Sequence, residues 1–205
     1  MNRCSSVCGI ALVTMVFATA PGCVRQRLLG QETKGLDRTL STFAWIEQGD
    51  IATLIVDTKP ARDRDGSAYM PLEIAVANNG LRRLALTRES FTLIDAEGNR
   101  YPMATPTELL ASYDMLEFDR NLAELDGIVF NKFAAYARYP SNWSPRLATG
   151  SSNIVIDLVA LPKYGYFVDF IYFPAPSTGI LGKRFELFMD SPDLDDPVFV
   201  RFEVR

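Results

Sequence analysis

The chain has 205 residues, with 21 Lys and Arg against 25 Asp and Glu, a formal charge of −4 and no histidine. The missing imidazole excludes Ser-His-Asp and Cys-His catalysis and every metal site built on histidine. The mild acidity argues against a nucleic-acid partner, which needs a basic face, and 48% apolar with 22% charged residues is the composition of an ordinary globular domain.

Residues 1–22 read as a targeting segment. Arg3 gives a positive start, and the run Gly9 to Ala20, GIALVTMVFATA, carries no charge. That run is shorter than the roughly 20 apolar residues of a membrane-spanning helix, and it has the length of a signal-peptide apolar region. Ala20-Pro21-Gly22-Cys23 follows. This stretch resembles the lipobox of bacterial lipoproteins, in which small residues precede an obligate cysteine. Ala20 stands where that family usually has Leu, and Pro21 where it usually has a small residue. The resemblance implies that Cys23 is the lipidation site, that 1–22 are a lipoprotein signal peptide removed just before it, and that the new amine can be acylated in turn. Cys4 and Cys8 leave with the signal, so the mature chain keeps Cys23 as its cysteine and forms no disulfide. Several acyl chains exceed the roughly two-signal threshold for stable anchoring. Val24, and not Asp, follows the cysteine. In diderm members of the family this implies the outer membrane, on its periplasmic side.

Residues 23–41 are expected to be a flexible tether. The stretch Val24 to Ser41, VRQRLLGQETKGLDRTLS, is polar and has little apolar periodicity. Residues 42–205 have uniform composition and a length suited to one core.

Strand patterns dominate that domain. Ile51 to Val56 is apolar and β-branched, and Leu72, Ile74 and Val76 alternate with Glu73, Ala75 and Ala77, which predicts one buried face. Asn79-Gly80 then predicts a hairpin into a strand with Leu84 and Leu86. Phe91 to Asp95 is a further strand, closed by a turn at Ala96-Glu97-Gly98-Asn99. Thr105-Pro106-Thr107-Glu108 is a capping box with proline at the first helical position. Phe118, Leu122, Leu125, Val129, Phe133 and Tyr136 fall on one helical stripe. A helical insertion is therefore expected at about 105–138. Ile154 to Val159 and Tyr166 to Phe173 read as central strands, and 185–189 and 198–204 as a late alternating pair. Seven or eight short strands with turns between them predict a mainly β fold, an immunoglobulin-like antiparallel β-sandwich carrying the helical insertion.

The stretch Leu72 to Tyr101, LEIAVANNGLRRLALTRESFTLIDAEGNRY, is similar to the immunoglobulin-like, telokin-like domains of bacterial extracytoplasmic lipoproteins. It shares their alternating strand, Asn78-Asn79-Gly80, Leu86, and the spacing of Phe91, Leu93, Asp95, Gly98 and Tyr101. The resemblance brings no catalytic residues.

The remaining chemistry is sparse. Asp190, Asp193, Asp195 and Asp196 form an acidic loop with oxygen ligands of the kind calcium takes, but the spacing is no EF-hand and a solvated turn is expected. Asp63-Arg64-Asp65-Gly66 is expected to be a hairpin tip. Asp157 and Asp169 interrupt apolar strands and are the acids best placed for a glycan-acting pair, with solvent or an arginine as their expected partners. Tyr164, Tyr166, Phe167, Phe170, Tyr172 and Phe173 divide by alternation into two sets. One set should fill the core, and the other should lie under the helical insertion or form an outer patch. No phosphate loop, metal-binding cysteine pair or nucleophile elbow is present in the sequence, so no catalytic, cofactor or metal residue is assigned. The expected function is a membrane-anchored periplasmic lipoprotein that serves as a non-catalytic binding or scaffold module for an envelope protein partner. The alternatives are a carrier of a small apolar ligand or lipid in a cavity between insertion and sandwich, or a carboxylate-dependent glycan-acting enzyme.

Overall fold

The computed structural model describes residues 39–143, 145 and 157–205. Cys23, the signal segment, the tether up to residue 38 and the residues Ile154 to Ile156 lie outside them. Among the described residues the strands are β1 (Ala44–Gln48), β2 (Ala52–Asp57), β3 (Tyr69–Asn78), β4 (Arg83–Thr87), β5 (Phe91–Asp95), β6 (Arg100–Pro102), β7 (Ala137–Arg138), β8 (Leu158–Pro162), β9 (Gly165–Pro174), β10 (Arg184–Met189) and β11 (Val198–Glu203). The helices are α1 (Lys59–Asp63), α2 (Pro106–Ser112), α3 (Leu116–Arg120) and α4 (Leu125–Val129). The protein is thus mainly β, with several antiparallel sheets and a helical segment.

One sheet has the order β1-β2-β3-β9-β7, a second β11-β10-β5-β6, and β4 pairs with β8 in a third. All pairings are antiparallel except that of β7 with β9. Alternation aims Leu54, Val56, Leu72, Ile74, Val76, Phe167, Ile171 and Phe173 of the first sheet into the same apolar cluster as Phe91, Leu93, Phe185, Leu187, Val200 and Phe202 of the second. Leu84, Leu86, Val159 and Leu161 of the third sheet join it. Each such side chain contributes roughly 1.5–3 kcal/mol by leaving water.

The outer face of the first sheet is covered as well. Leu125, Val129 and Phe133 pack on Ile55, Ala75 and Ala77, with Tyr166 and Val168 beside them. Leu109, Tyr113 and Leu116 pack on Phe170 and Tyr172. Strand β3 is therefore buried on both faces, not one, and its outward residues include two alanines, whose small side chains leave room for the helical segment. The two aromatic sets of β9 are also resolved: Phe167 and Phe173 enter the inner core, while Tyr166, Phe170 and Tyr172 lie under the helical segment.

Three expectations are corrected. The 105–138 insertion is not one continuous helix but three short ones. The capping box is real: Glu108 N donates to Thr105 Oγ1 at 3.2 Å and Thr105 N to Glu108 Oε2 at 2.7 Å. The apolar stripe holds only from Leu125 onward. Phe118 is 61% exposed while Leu116 and Asp119 are buried, because the chain breaks between α2, α3 and α4 and resets the phase. Asn79-Gly80 does not make a hairpin, since β3 pairs with β2 and β9 and β4 pairs with β8. A type I′ turn needs positive φ at both residues, and neither has it. Their N–H groups instead donate to Ile51 O, which fixes the chain against the β1–β2 turn as it crosses to another sheet. Val159 belongs to that small β4–β8 sheet and not to a central strand of a large one.

Candidate functional site

Beneath the helical segment lies a seam of buried polar groups, the chemically distinctive part of the described residues. At one end Glu73, 2% exposed, projects from β3 and accepts from Glu124 N and Leu125 N, both at 2.9 Å. It serves as the acceptor for the first amides of α4, whose own residues offer no side-chain cap. Asp57 is its cross-strand neighbour, is equally buried, and accepts from Lys59 N at 2.8 Å. Lys59 pairs with Glu124 above them. Burial pushes Glu73 up to about 7 against the pull of the two amides, and the charges of Asp57 and Asp126 add to the rise. Burial raises Asp57 too.

The raised value fixes the sign of a pH effect. The folded state holds the Glu73 proton more tightly than the unfolded chain, whose carboxyl titrates near 4.5. This contribution to stability is complete below about pH 4.5 and is lost as pH rises through about 7. Between pH 5 and 7 the loss is about 2 kcal/mol. In Glu73→Gln, which keeps an acceptor and cannot ionise, urea denaturation is expected to show that decline largely abolished. An unchanged decline from pH 5 to 7 would assign it to other groups.

At the other end Asp119 is fully buried. Arg64 Nε donates to its Oδ1 at 2.6 Å and Tyr113 Oη to its Oδ2 at 2.7 Å. Burial raises the Asp119 carboxyl, while Tyr113 and Arg64 pull it back. The Tyr113 hydroxyl stands well above its ordinary range through burial and the adjacent carboxylate. Tyr113 also meets Tyr69 and Tyr172 edge to face at 5.5 and 5.6 Å. The network thus ties α3 and the end of α2 to the turn after α1. Sequence reading missed α1, Arg64 and Asp119. Asp63-Arg64-Asp65-Gly66 lies, as expected, in the connection of the antiparallel β2–β3 pair, but as the end of a short helix and not as a tight turn; Gly66 takes a φ of +80°, and Asp65 Oδ1 accepts from Ile180 N at 3.0 Å.

Of the other acids singled out by sequence, Asp157 and Asp169 both act electrostatically on the Arg88 guanidinium, the arginine partner expected for them. Asp157 is exposed. Asp169 accepts from Trp143 N at 3.0 Å and Phe170 N at 2.8 Å, and burial raises its carboxyl against those amides. Asp193 accepts from Ala85 N at 2.8 Å while the Ser191 hydroxyl donates to Ala85 O at 2.7 Å, which pins the 190–197 loop to β4. Among the described residues no three acids or cysteines are grouped as a metal would need.

The second sheet differs from the first on its outer side. Phe188 and Phe199 face away from the core as a cross-strand pair, stacked at 5.2 Å and 22°. Both are part-exposed, as are Thr92 and Ile94 beside them. The Glu186–Arg201 ion pair flanks them.

The fold is thus that of a mainly β protein whose one sheet is capped by helices. No protein-family model and no curated protein matches the chain. Among solved structures it is similar to one from Bacillus subtilis subsp. subtilis str. 168, described as a "putative lipoprotein", with a TM-score of 0.40 and 14% identity over 77% of this chain and 38% of that one. The chain therefore spans well under half the length of that protein. The likeness is too low to carry fold or function across.

Proposed function

We propose that this protein is a lipid-anchored module of the bacterial cell envelope that binds a partner protein and performs no chemistry of its own. The observation that carries the reading is the order of positive start, uncharged run Gly9 to Ala20 and Ala20-Pro21-Gly22-Cys23. In this reading Cys23 carries the lipid, Val24 sends the protein to the outer membrane facing the periplasm, and the two larger sheets are the layers of an immunoglobulin-like sandwich. The shared apolar cluster supports the last point. A non-catalytic role is supported by what occupies the buried acids. Glu73 serves α4, Asp119 serves Arg64 and Tyr113, and Asp95 serves Asn99 and Tyr101 within its own turn. The partner surface is the outward Phe188–Phe199 pair, since part-exposed aromatics beside a fixed ion pair have the composition of an interface centre.

The test is labelling of cells with radioactive palmitate, followed by cross-linking in intact envelopes. The native chain should take up label and Cys23→Ser should take up none and leave the membrane fraction; equal uptake overturns the anchor. A specific protein adduct should form with the native chain and fade in Phe188→Ser/Phe199→Ser. An adduct unaffected by that change would move the binding surface elsewhere.

A further inference from the structure

At one end of the domain three turns are sewn into a single surface: 49–51 between β1 and β2, 79–82 between β3 and β4, and 163–164 between β8 and β9. Asn78 and Asn79 do the sewing. The Asn78 amide donates to Leu81 O and Leu161 O, its side-chain oxygen accepts from Leu81 N, and its backbone oxygen accepts from Tyr164 N. The Asn79 amide donates to Gly49 O and Thr53 Oγ1, and its backbone N–H to Ile51 O. A Cβ on Gly80 would lie 2.9 Å from Asp50 O, so the close approach of the first two turns requires glycine there. Such a rigid base holds its loops in fixed positions, as binding surfaces require.

This end presents a distinct mixture of side chains. Ile51 is 46% and Tyr164 51% exposed. Tyr164 adopts a φ of +62°, a left-handed conformation where glycine would sit without strain, yet the position carries an aromatic ring. Lys163 Nζ lies 5.1 Å from that ring's centroid. Arg83 stands opposite Pro162 in the β4–β8 ladder, next to Lys163, with Arg82 beside it. Arg82, Arg83 and Lys163 are exposed, and none of them forms an ion pair with another described residue. Asp50 is the acid on these turns and Glu47 lies near the end of β1, while Asp193 meets β4 at Ala85, two residues beyond Arg83.

We propose that this end is the face the tethered domain lays against an anionic phospholipid surface, with Ile51 and Tyr164 at headgroup level and Arg82, Arg83 and Lys163 on lipid phosphates. The inference rests on the anchoring reading above. Thr39 bridges Trp45 antiparallel, so its N-terminal side points toward the Gln48 end of β1, which is this end. Fifteen residues lie between Cys23 and Thr39. A chain of that length reaches about 55 Å at most, so in the anchored protein the domain stays close to the bilayer. An aromatic and an aliphatic side chain ringed by cations match the chemistry of the membrane interface, where tyrosine settles and lysine and arginine meet phosphate. Each such cation strengthens attachment to an anionic surface about five-fold. Strand β9 alone is about 33 Å long, several times the ~8 Å Debye length, so the far end at Ser177 feels little of the headgroup field.

The test uses the acylated full-length protein, with a bimane fluorophore on Gln48→Cys at this end or Ser177→Cys at the far end. Each is reconstituted into vesicles containing a spin-labelled lipid quencher. In phosphatidylcholine–phosphatidylglycerol vesicles, quenching at position 48 should exceed that at 177 several-fold. It should drop to the level of 177 in phosphatidylcholine alone, and also in the R82E/R83E/K163E variant. Equal quenching at both positions in the anionic vesicles overturns the inference while the anchor stands. A protein with no acyl mass on Cys23 and no flotation with vesicles overturns the anchoring reading, and the inference with it.

Discussion

Trp143→Ala is expected to destabilise the domain by about 3–5 kcal/mol, the usual cost of emptying a large buried aromatic site. Trp143 is fully buried and wedged edge to face between Phe91 at 5.2 Å and Phe167 at 5.0 Å, so it bridges the two larger sheets. Its backbone is held from both sides: Trp143 N donates to Asp169, and Trp143 O accepts from Arg88 at 2.6 Å. The other Arg88 nitrogen donates to Ala104 O at 2.8 Å, which anchors the start of the helical segment to the same point. Trp143 Nε1 has no hydrogen-bond partner among the described residues, so the indole contributes by shape and not by its N–H. Trp143→Phe should therefore lose less than about 1.5 kcal/mol. Guanidinium denaturation of the two variants checks this. Equal losses in both would mean that the full indole outline, and not an aromatic ring alone, is needed to fill the site, and a loss under 1 kcal/mol in the alanine variant would remove Trp143 as the wedge.

Asp119→Ala is expected to cost about 3 kcal/mol, because it strands the Arg64 guanidinium and the buried Tyr113 hydroxyl without their shared acceptor. Replacing both charges, as Arg64→Met with Asp119→Leu, should recover much of the loss, since an apolar pair has no desolvation to offset. Amide hydrogen exchange adds a spatial test: α2 and α3 should lose protection in the alanine variant before β2, β3 and β9 do. Uniform loss across the sheet would mean that the network is not a local clamp for the helical segment.

The two clamps of that segment differ in how far sequence reveals them. Glu73 sits in a clean period-two strand, and alternation alone assigns it to a solvent face. It is buried because residues some fifty positions later fold over it. Arg64 and Asp119 carry no periodic signal at all, and their pairing across 55 positions exists only once the sheet has brought α1 and α3 together. The capping box at Thr105 and Glu108 is a contrasting case. Both partners lie within one turn of chain, so the sequence specifies the contact completely. The turn at Ala96 to Asn99 is equally local: Gly98 supplies the φ of +87° and the Asp95 carboxylate accepts from Asn99 and Tyr101.

From sequence alone came the β-rich class, the start of the helical segment, the two-sided character of β9 and the inward residues of β10 and β11. Each depends on residues a few positions apart, whose relation is set by the period of a strand or the rise of a turn. The tertiary structure decided which strands pair, why Asn79-Gly80 crosses between sheets, where the helical stripe breaks, and which sheet face the helical segment covers. Those outcomes depend on which distant segments bury each other's apolar surface, an energy that belongs to the assembled pair and is written in neither segment by itself.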